Sequence, residues 1–259
     1  MVGELINEAI APASEGLSLE HVSKSFLVNG AAFDAVKDVS LDVPKGQFVS
    51  IVGPSGCGKS TILRLLAGLE TPDSGLLKVG GRPIAGPSIQ RGMVFQDHRL
   101  LPWLTVERNV RLALHKSQLA PEIKQQRVAE LLQLVGLTDF ASAFPHQLSG
   151  GMSQRAALAR SLVTRPNVLL LDEPLGALDS LTRRQVQLEL LRIWRHHRIT
   201  ALMVTHDVEE AVLLSSKVVV MASRPGRIKD VVDIPSDAAD RNSTAFNLAK
   251  SEIYQSLET

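Results

Sequence analysis

The nonapeptide "GPSGCGKST" (53–61) constrains this chain more than any other stretch. It follows the continuous apolar run "QFVSIV" and precedes "ILRLLAGL", where Ile62, Leu65, Leu66 and Leu69 recur at helical spacing, so it stands between a strand and a helix. In that context the pattern GxxxxGK[ST] is a phosphate-binding loop. Gly53, Gly56 and Gly58 let the backbone curl until its N–H groups face an anion, with Pro54, Ser55, Cys57 and Thr61 completing the loop. Lys59 reaches the β- and γ-phosphates of a nucleotide such as ATP, and Ser60 can hold Mg²⁺. Cys57, the single cysteine, reads as a small loop-filler, although a place at a helix N-terminus beside Lys59 also makes it a candidate for alkylation.

The remaining chain supplies an α/β setting for that loop. "LSLEHVSKSF" and "FDAVKDVSLDV" alternate apolar and polar residues as a small antiparallel sheet does, and "GLLKVGGRPI" (75–84) and "RGMVFQ" (91–96) read as further short strands. From about Thr105 to Thr164 the pattern is helical, clearest in "PEIKQQRVAELLQLVGL". Buried strands return at "NVLLLDE" (167–173), "ITALMVTHD" (199–207) and "KVVVMAS", separated by helices at 180–197 and 208–215. "STAFNLAKSEIYQSLE" is an amphipathic terminal helix. The 28 basic and 27 acidic residues are interspersed, giving a net charge of +1 without the basic block that nucleic-acid phosphates require, so nucleic acid is excluded as the main partner. "MVGELINEAIAPASEG" lacks the charged-then-apolar order of a secretory signal, and runs such as "VLLL" (168–171) are too short to cross a bilayer, so a cytoplasmic chain attached peripherally to any membrane is expected.

Two further places carry chemistry. "VLLLDEP" (168–174) puts Asp172 and Glu173 at the end of an apolar strand, where an α/β sheet presents groups to a ligand. Asp172 there would support Mg²⁺, and Glu173 would orient or deprotonate an attacking water. His206 ends the strand "TALMVTH" and is either a structural histidine or a partner for a γ-phosphate. "LSGGMSQR" (148–155) sets Ser149, Gly150 and Gly151 at the start of a helix, whose unpaired N–H groups form a second phosphate cradle in a chain that already has one.

"GPSGCGKST", "FQD", "LSGGMSQR", "LLLDEPLGALD" and "VTHD", in this order, resemble the nucleotide-binding subunit of an ATP-binding-cassette transporter over about residues 17–225. The resemblance implies a P-loop NTPase fold with a RecA-like core sheet, an N-terminal antiparallel β subdomain and an inserted helical subdomain. The cassette is expected over 17–235, with the helical subdomain at about 97–164 and a helical tail at 236–259. Gln96 becomes a residue that touches Mg²⁺ and the attacking water and couples them to transmembrane subunits, His206 a switch histidine, and Asp179 part of a loop crossing a dimer interface. Ser149, Gly150 and Gly151 then serve the nucleotide of a second chain, so that two copies sandwich two ATP molecules and close or open with hydrolysis. Phe26 takes the place of the usual adenine-stacking tyrosine, unless it is a core residue closing a strand. Ser153 stands where many relatives carry glutamine, a departure beyond the phosphate contact.

The implied partners are a second copy, two permease subunits and a periplasmic or extracellular solute-binding protein, at the cytoplasmic face of the inner membrane. "DHRLLPWLTVERNV" (97–110) places Leu100, Leu101, Trp103 and Leu104 after Gln96, either as a docking patch for the membrane subunit or as an ordinary core loop. With "SRPGRI" (223–228), this stretch resembles the nitrate, sulfonate and taurine branch, nearest the aliphatic-sulfonate importers. A soluble cassette protein of DNA repair or translation is the rival reading. A small-molecule kinase would leave "LSGGMSQR" unexplained.

Overall fold

The computed structural model describes residues 15–258 apart from Ala177 and Arg224, and the side chains of His196 and His197. The reading of the first fourteen residues lies outside this range. Strands β1 (Leu17–Val28), β2 (Ala31–Val43), β4 (Ser74–Val79) and β5 (Arg82–Pro83) form an antiparallel sheet in the order β2-β1-β4-β5. The stretch expected as one strand over 75–84 is divided, because a tight turn through Gly80 and Gly81 folds β5 back on β4. The second sheet contains β3 (Phe48–Val52), β6 (Arg91–Val94), β7 (Val168–Asp172), β8 (Thr200–Val204), β9 (Lys217–Ala222) and β10 (Arg227–Asp233). Its order is β10-β9-β3-β8-β7-β6, parallel throughout except where β10 pairs antiparallel with β9.

Every residue of β3, β7 and β8 is buried, which is why they read as almost wholly apolar, with only Ser50, Asp172 and Thr200 as exceptions. The two-residue period still sorts their side chains. Leu169, Leu171, Ala201 and Met203 pack with helices α2 (Val106–Leu112), α3 (Pro121–Leu134), α4 (Gly150–Leu162) and α5 (Ser180–His197). Val168, Leu170, Leu202 and Val204 face the other way, onto α1 (Lys59–Ala67) and the antiparallel sheet. A third cluster joins β9 and β10 to α6 (Val208–Leu214) and to α7 (Thr244–Glu258), which contributes Phe246, Ala249 and Ile253.

Helix starts differ in a way that matters for ligands. Thr105, Ser149, Asp179 and Asp207 cap α2, α4, α5 and α6 with their own side chains. No side chain caps α1, which begins from Gly58, so its first N–H groups remain available to an anion.

The segment between Gln96 and α2 is fastened by Asn109, which sequence reasoning passed over. Its Oδ1 accepts from Leu101 N at 2.7 Å, and its Nδ2 donates to the carbonyls of Leu101, Leu104 and Thr105 at 3.0 to 3.1 Å. Asn109 is fully buried, so Asn109→Ala strips partners from several groups at once. The expected cost is about 2–3 kcal/mol of stability with ATP binding retained, read from denaturant midpoints and nucleotide titration. An unchanged midpoint would show that the segment is held by other contacts.

Candidate active site

Parallel strands bring their C-terminal ends to one edge, and here that edge collects the motif residues. The phosphate loop follows β3, His206 follows β8, Asp172 and Glu173 end β7, and Gln96 follows β6, and these four strands are neighbours in this order. A cavity of about 310 Å³ opens there, lined by Phe26, Phe33, Ala35, Ser55, Gly56, Gly58, Lys59, Ser60, Thr61 and Glu173. Gly53, Pro54 and Cys57 do not line it and instead shape the loop behind it. A Cβ on Gly53 would stand 2.8 Å from the Met221 carbonyl and 2.9 Å from Cys57 Sγ. Gly58 adopts φ +90°, and a Cβ there would lie 2.5 Å from the Ala35 carbonyl. Lys59 Nζ donates to the carbonyls of Gly53 at 2.7 Å and Pro54 at 3.0 Å, which curls the loop around its ammonium group. Cys57 is buried against this loop, so the expectation of an alkylatable thiol is corrected: closeness to Lys59 is outweighed by loss of solvent access.

Phe26 is half-buried on the cavity wall, and its cross-strand neighbour Phe33 lines the same wall. This is not a core position. Phe33 was missed because one aromatic on an exposed hairpin carries no pattern; only the β1–β2 register sets the two rings side by side.

The acidic pair is divided by environment. Ser60 Oγ donates to Asp172 Oδ1 at 2.9 Å, and burial raises the Asp172 pKa while the Ser60 hydrogen bond opposes the rise. Glu173, at φ 44°, leaves the strand conformation and presents its side chain to the cavity. Its Oε2 accepts from Gln96 Nε2 at 3.1 Å and lies 3.3 Å from His206 Nδ1. Three residues spread over 110 positions of the chain thus meet at one Glu173 oxygen. Among the described residues no group of three or more His, Cys, Asp and Glu is arranged to hold a metal. The Ser60 hydroxyl, the Asp172 carboxylate and the Gln96 amide are instead the few hard oxygen donors that suit Mg²⁺ shared with phosphates.

Ser149, Gly150 and Gly151 take no part in lining that cavity. Ser149 and Gly150 are exposed at the start of α4, while Gly151 is buried so closely on Thr182 that a Cβ would collide with its methyl group. Helix α4, the signature helix that begins within "LSGGMSQR", is therefore keyed to the first turn of α5. Asp179 caps that turn with hydrogen bonds from Leu181 N and Thr182 N, and its bonds to Thr182 hold the carboxyl below its ordinary pKa. The rest of the signature is structural: Ser153 is buried, Gln154 Oε1 meets His98 Nδ1 at 2.5 Å, and Arg155 donates to the Val135 carbonyl at 2.6 Å. His98, which ties the signature helix to the segment after Gln96, gave no sequence signal. Trp103 is 69% exposed and so is no core residue, whereas Leu100 packs on the core.

A phosphate loop beside a carboxylate pair on parallel strands, with a separate glycine-rich helix start on an inserted helical layer, defines a nucleotide-hydrolysing cassette. The ABC transporter family profile matches residues 36–176. The chain is 42% identical over 251 residues to an uncharacterized ABC transporter ATP-binding protein of Methanocaldococcus jannaschii, covering 93% of this chain and 94% of that one. It is 44% identical over 237 residues to the aliphatic sulfonates import ATP-binding protein SsuB of Bacillus subtilis, covering 91% of each. Its structure matches an ATP-binding cassette solved as a dimer in a post-hydrolysis state bound to ADP and Pi, with a TM-score of 0.76 and 31% identity over 85% of this chain and 99% of that chain. The chain belongs to the ABC transporter family as an ATP-binding subunit, and it is an ATPase.

Proposed function

We propose that this subunit energises import of a small anionic solute, most specifically aliphatic sulfonates, through a separate permease. The observation that carries the ATPase reading is the convergence of Gln96, Glu173 and His206 beside Lys59 and Ser60. The backbone N–H groups of the loop 53–61, Pro54 excepted, together with Lys59 take the β- and γ-phosphates, and Phe26 with Phe33 stacks the adenine. Glu173 accepts a proton from the attacking water, Gln96 holds that carboxylate in place, and His206 donates to the γ-phosphate. Ser60, Asp172 and Gln96 would hold Mg²⁺, which when bound neutralises phosphate charge. Ser149, Gly150, Gly151 and Asp179 face the site of a second copy, and the solvent-facing Trp103 meets the permease.

A periplasmic or extracellular solute-binding protein completes the assembly, with this subunit at the cytoplasmic face of the inner membrane. No described helix is long and apolar enough to cross a membrane. The sulfonate reading is supported by the sulfonate-import relatives, 41 to 44% identical over most of their length. Its test is growth of a deletion strain on single sulfur and nitrogen sources. Failure on alkanesulfonates alone is the expected result; normal growth there with a defect on taurine or nitrate would move the assignment to that solute. Purification free of any membrane protein would favour a soluble, non-transport ABC ATPase.

A further inference from the structure

Behind the exposed His206 the chain buries a carboxyl group that none of these roles uses. Glu210, in the first turn of α6, is 3% exposed, and its Oε1 has no hydrogen-bond partner. Its Oε2 accepts the hydroxyl of buried Thr205. The same hydroxyl accepts from Asp207 N at 3.1 Å, and Asp207 Oδ1 accepts from Glu210 N at 3.1 Å. The Thr205–Asp207 bond spans the backbone of His206. Beyond this turn, Asp207 Oδ2 is 3.8 Å from Arg183 Nη1, and Arg183 Nη2 donates to the carbonyl of Leu178, the residue before Asp179. Arg183 Nε is buried without a partner, as Glu210 Oε1 is.

An ionisable group is a costly choice here. A glutamine of the same shape would accept the Thr205 hydroxyl without bringing a charge into the interior, so stability does not account for the acid. We propose that Glu210 is a positioning residue for His206: it holds the Thr205 hydroxyl that, through Asp207 N, sets the His206 turn against Glu173, while Asp207 and Arg183 tie the same turn to the segment entering Asp179. The proposal rests on the role assigned above to His206.

Ionisation gives the arrangement a signature. Burial pushes the Glu210 pKa up to about 7; the Thr205 hydrogen bond and Arg183 from α5 oppose the rise, and Asp207 on its own helix and Glu173 from the end of β7 add to it. A carboxylate accepts from a hydroxyl more strongly than the neutral acid does, so the turn is held best above pH 7 and kcat rises through that region. Stability runs the other way. The folded pKa lies above the unfolded one, so the group's contribution is complete below the ordinary glutamate pKa and is lost as pH rises to about 7.

The test compares the full-length wild-type chain with Glu210→Gln, Thr205→Val and the double variant, in steady-state hydrolysis from about pH 6 to about pH 9. Glu210→Gln should lower kcat about tenfold at the alkaline end, leave KM for ATP within about twofold, and flatten the rise near pH 7. It should also melt no lower than wild type at alkaline pH, which separates a lost function from a damaged fold. Thr205→Val should cost a similar factor in kcat, and the double variant no more than either. Wild-type kcat and pH profile in Glu210→Gln, losses that multiply in the double variant, or a rise in KM alone would overturn the assignment. A wild-type chain that binds ATP without hydrolysing it would instead remove the reading of His206 on which this one depends.

Discussion

Glu173→Gln is expected to bind ATP as wild type does, to lose at least about a hundredfold in turnover, and to accumulate as a dimer when ATP and Mg²⁺ are present. The amide keeps the shape of the carboxylate, and one oxygen remains to accept from Gln96, so the cavity wall stays as it is. What disappears is the ability to take a proton from water. Binding rests on the loop around Lys59, which the substitution does not touch. Because the γ-phosphate supplies contacts that favour the closed pair, a chain unable to remove it stays closed. Gel filtration with light scattering reads the dimer, and phosphate release reads the turnover. A variant that is monomeric at saturating ATP, or one that hydrolyses at the wild-type rate, would show that Glu173 is not the base.

Where the fold was legible, side-chain burial had written it into the sequence. β3, β7 and β8 are buried on both faces, and each has four apolar residues among its five, a pattern with few other meanings. β10 escaped because it is an edge strand: only Val232 of "RIKDVVD" is buried, and its pairing with β9 consists of backbone hydrogen bonds that any residue can make. The site divides along the same line. Asp172 and Glu173 announce themselves by ending an apolar run, and the phosphate loop by its glycines. That Gln96, Glu173 and His206 share one oxygen follows from strand order, a property of the assembled sheet that no local stretch carries. Phe33, His98 and Thr182 depend in the same way on register or helix packing. Glu210 was hidden in a helix start, where an exposed glutamate is the ordinary expectation and only burial marks this one as different.

Mixing two inactive variants should restore activity that neither has alone. Lys59→Ala removes the ammonium group from the phosphate cavity, and Ser149→Arg places a bulky side chain on a helix start that does not line that cavity. Ser149 is exposed, so the arginine fits without a core clash, and loss of the cap costs about 1 kcal/mol of stability. If Ser149 serves the nucleotide held by the opposite chain, each homodimer has two damaged sites, whereas a mixed dimer combines both lesions in one site and leaves the other whole. With equal random mixing, half the dimers are mixed and each has one sound site of two, so about a quarter of wild-type sites return. ATP-driven dimerisation measured beside hydrolysis keeps the result readable when the two sites turn over together. If Ser149 instead acted within its own chain, every site in every dimer would carry a lesion. Mixing would then recover neither dimer nor turnover, and the two-chain arrangement of the signature helix would be wrong.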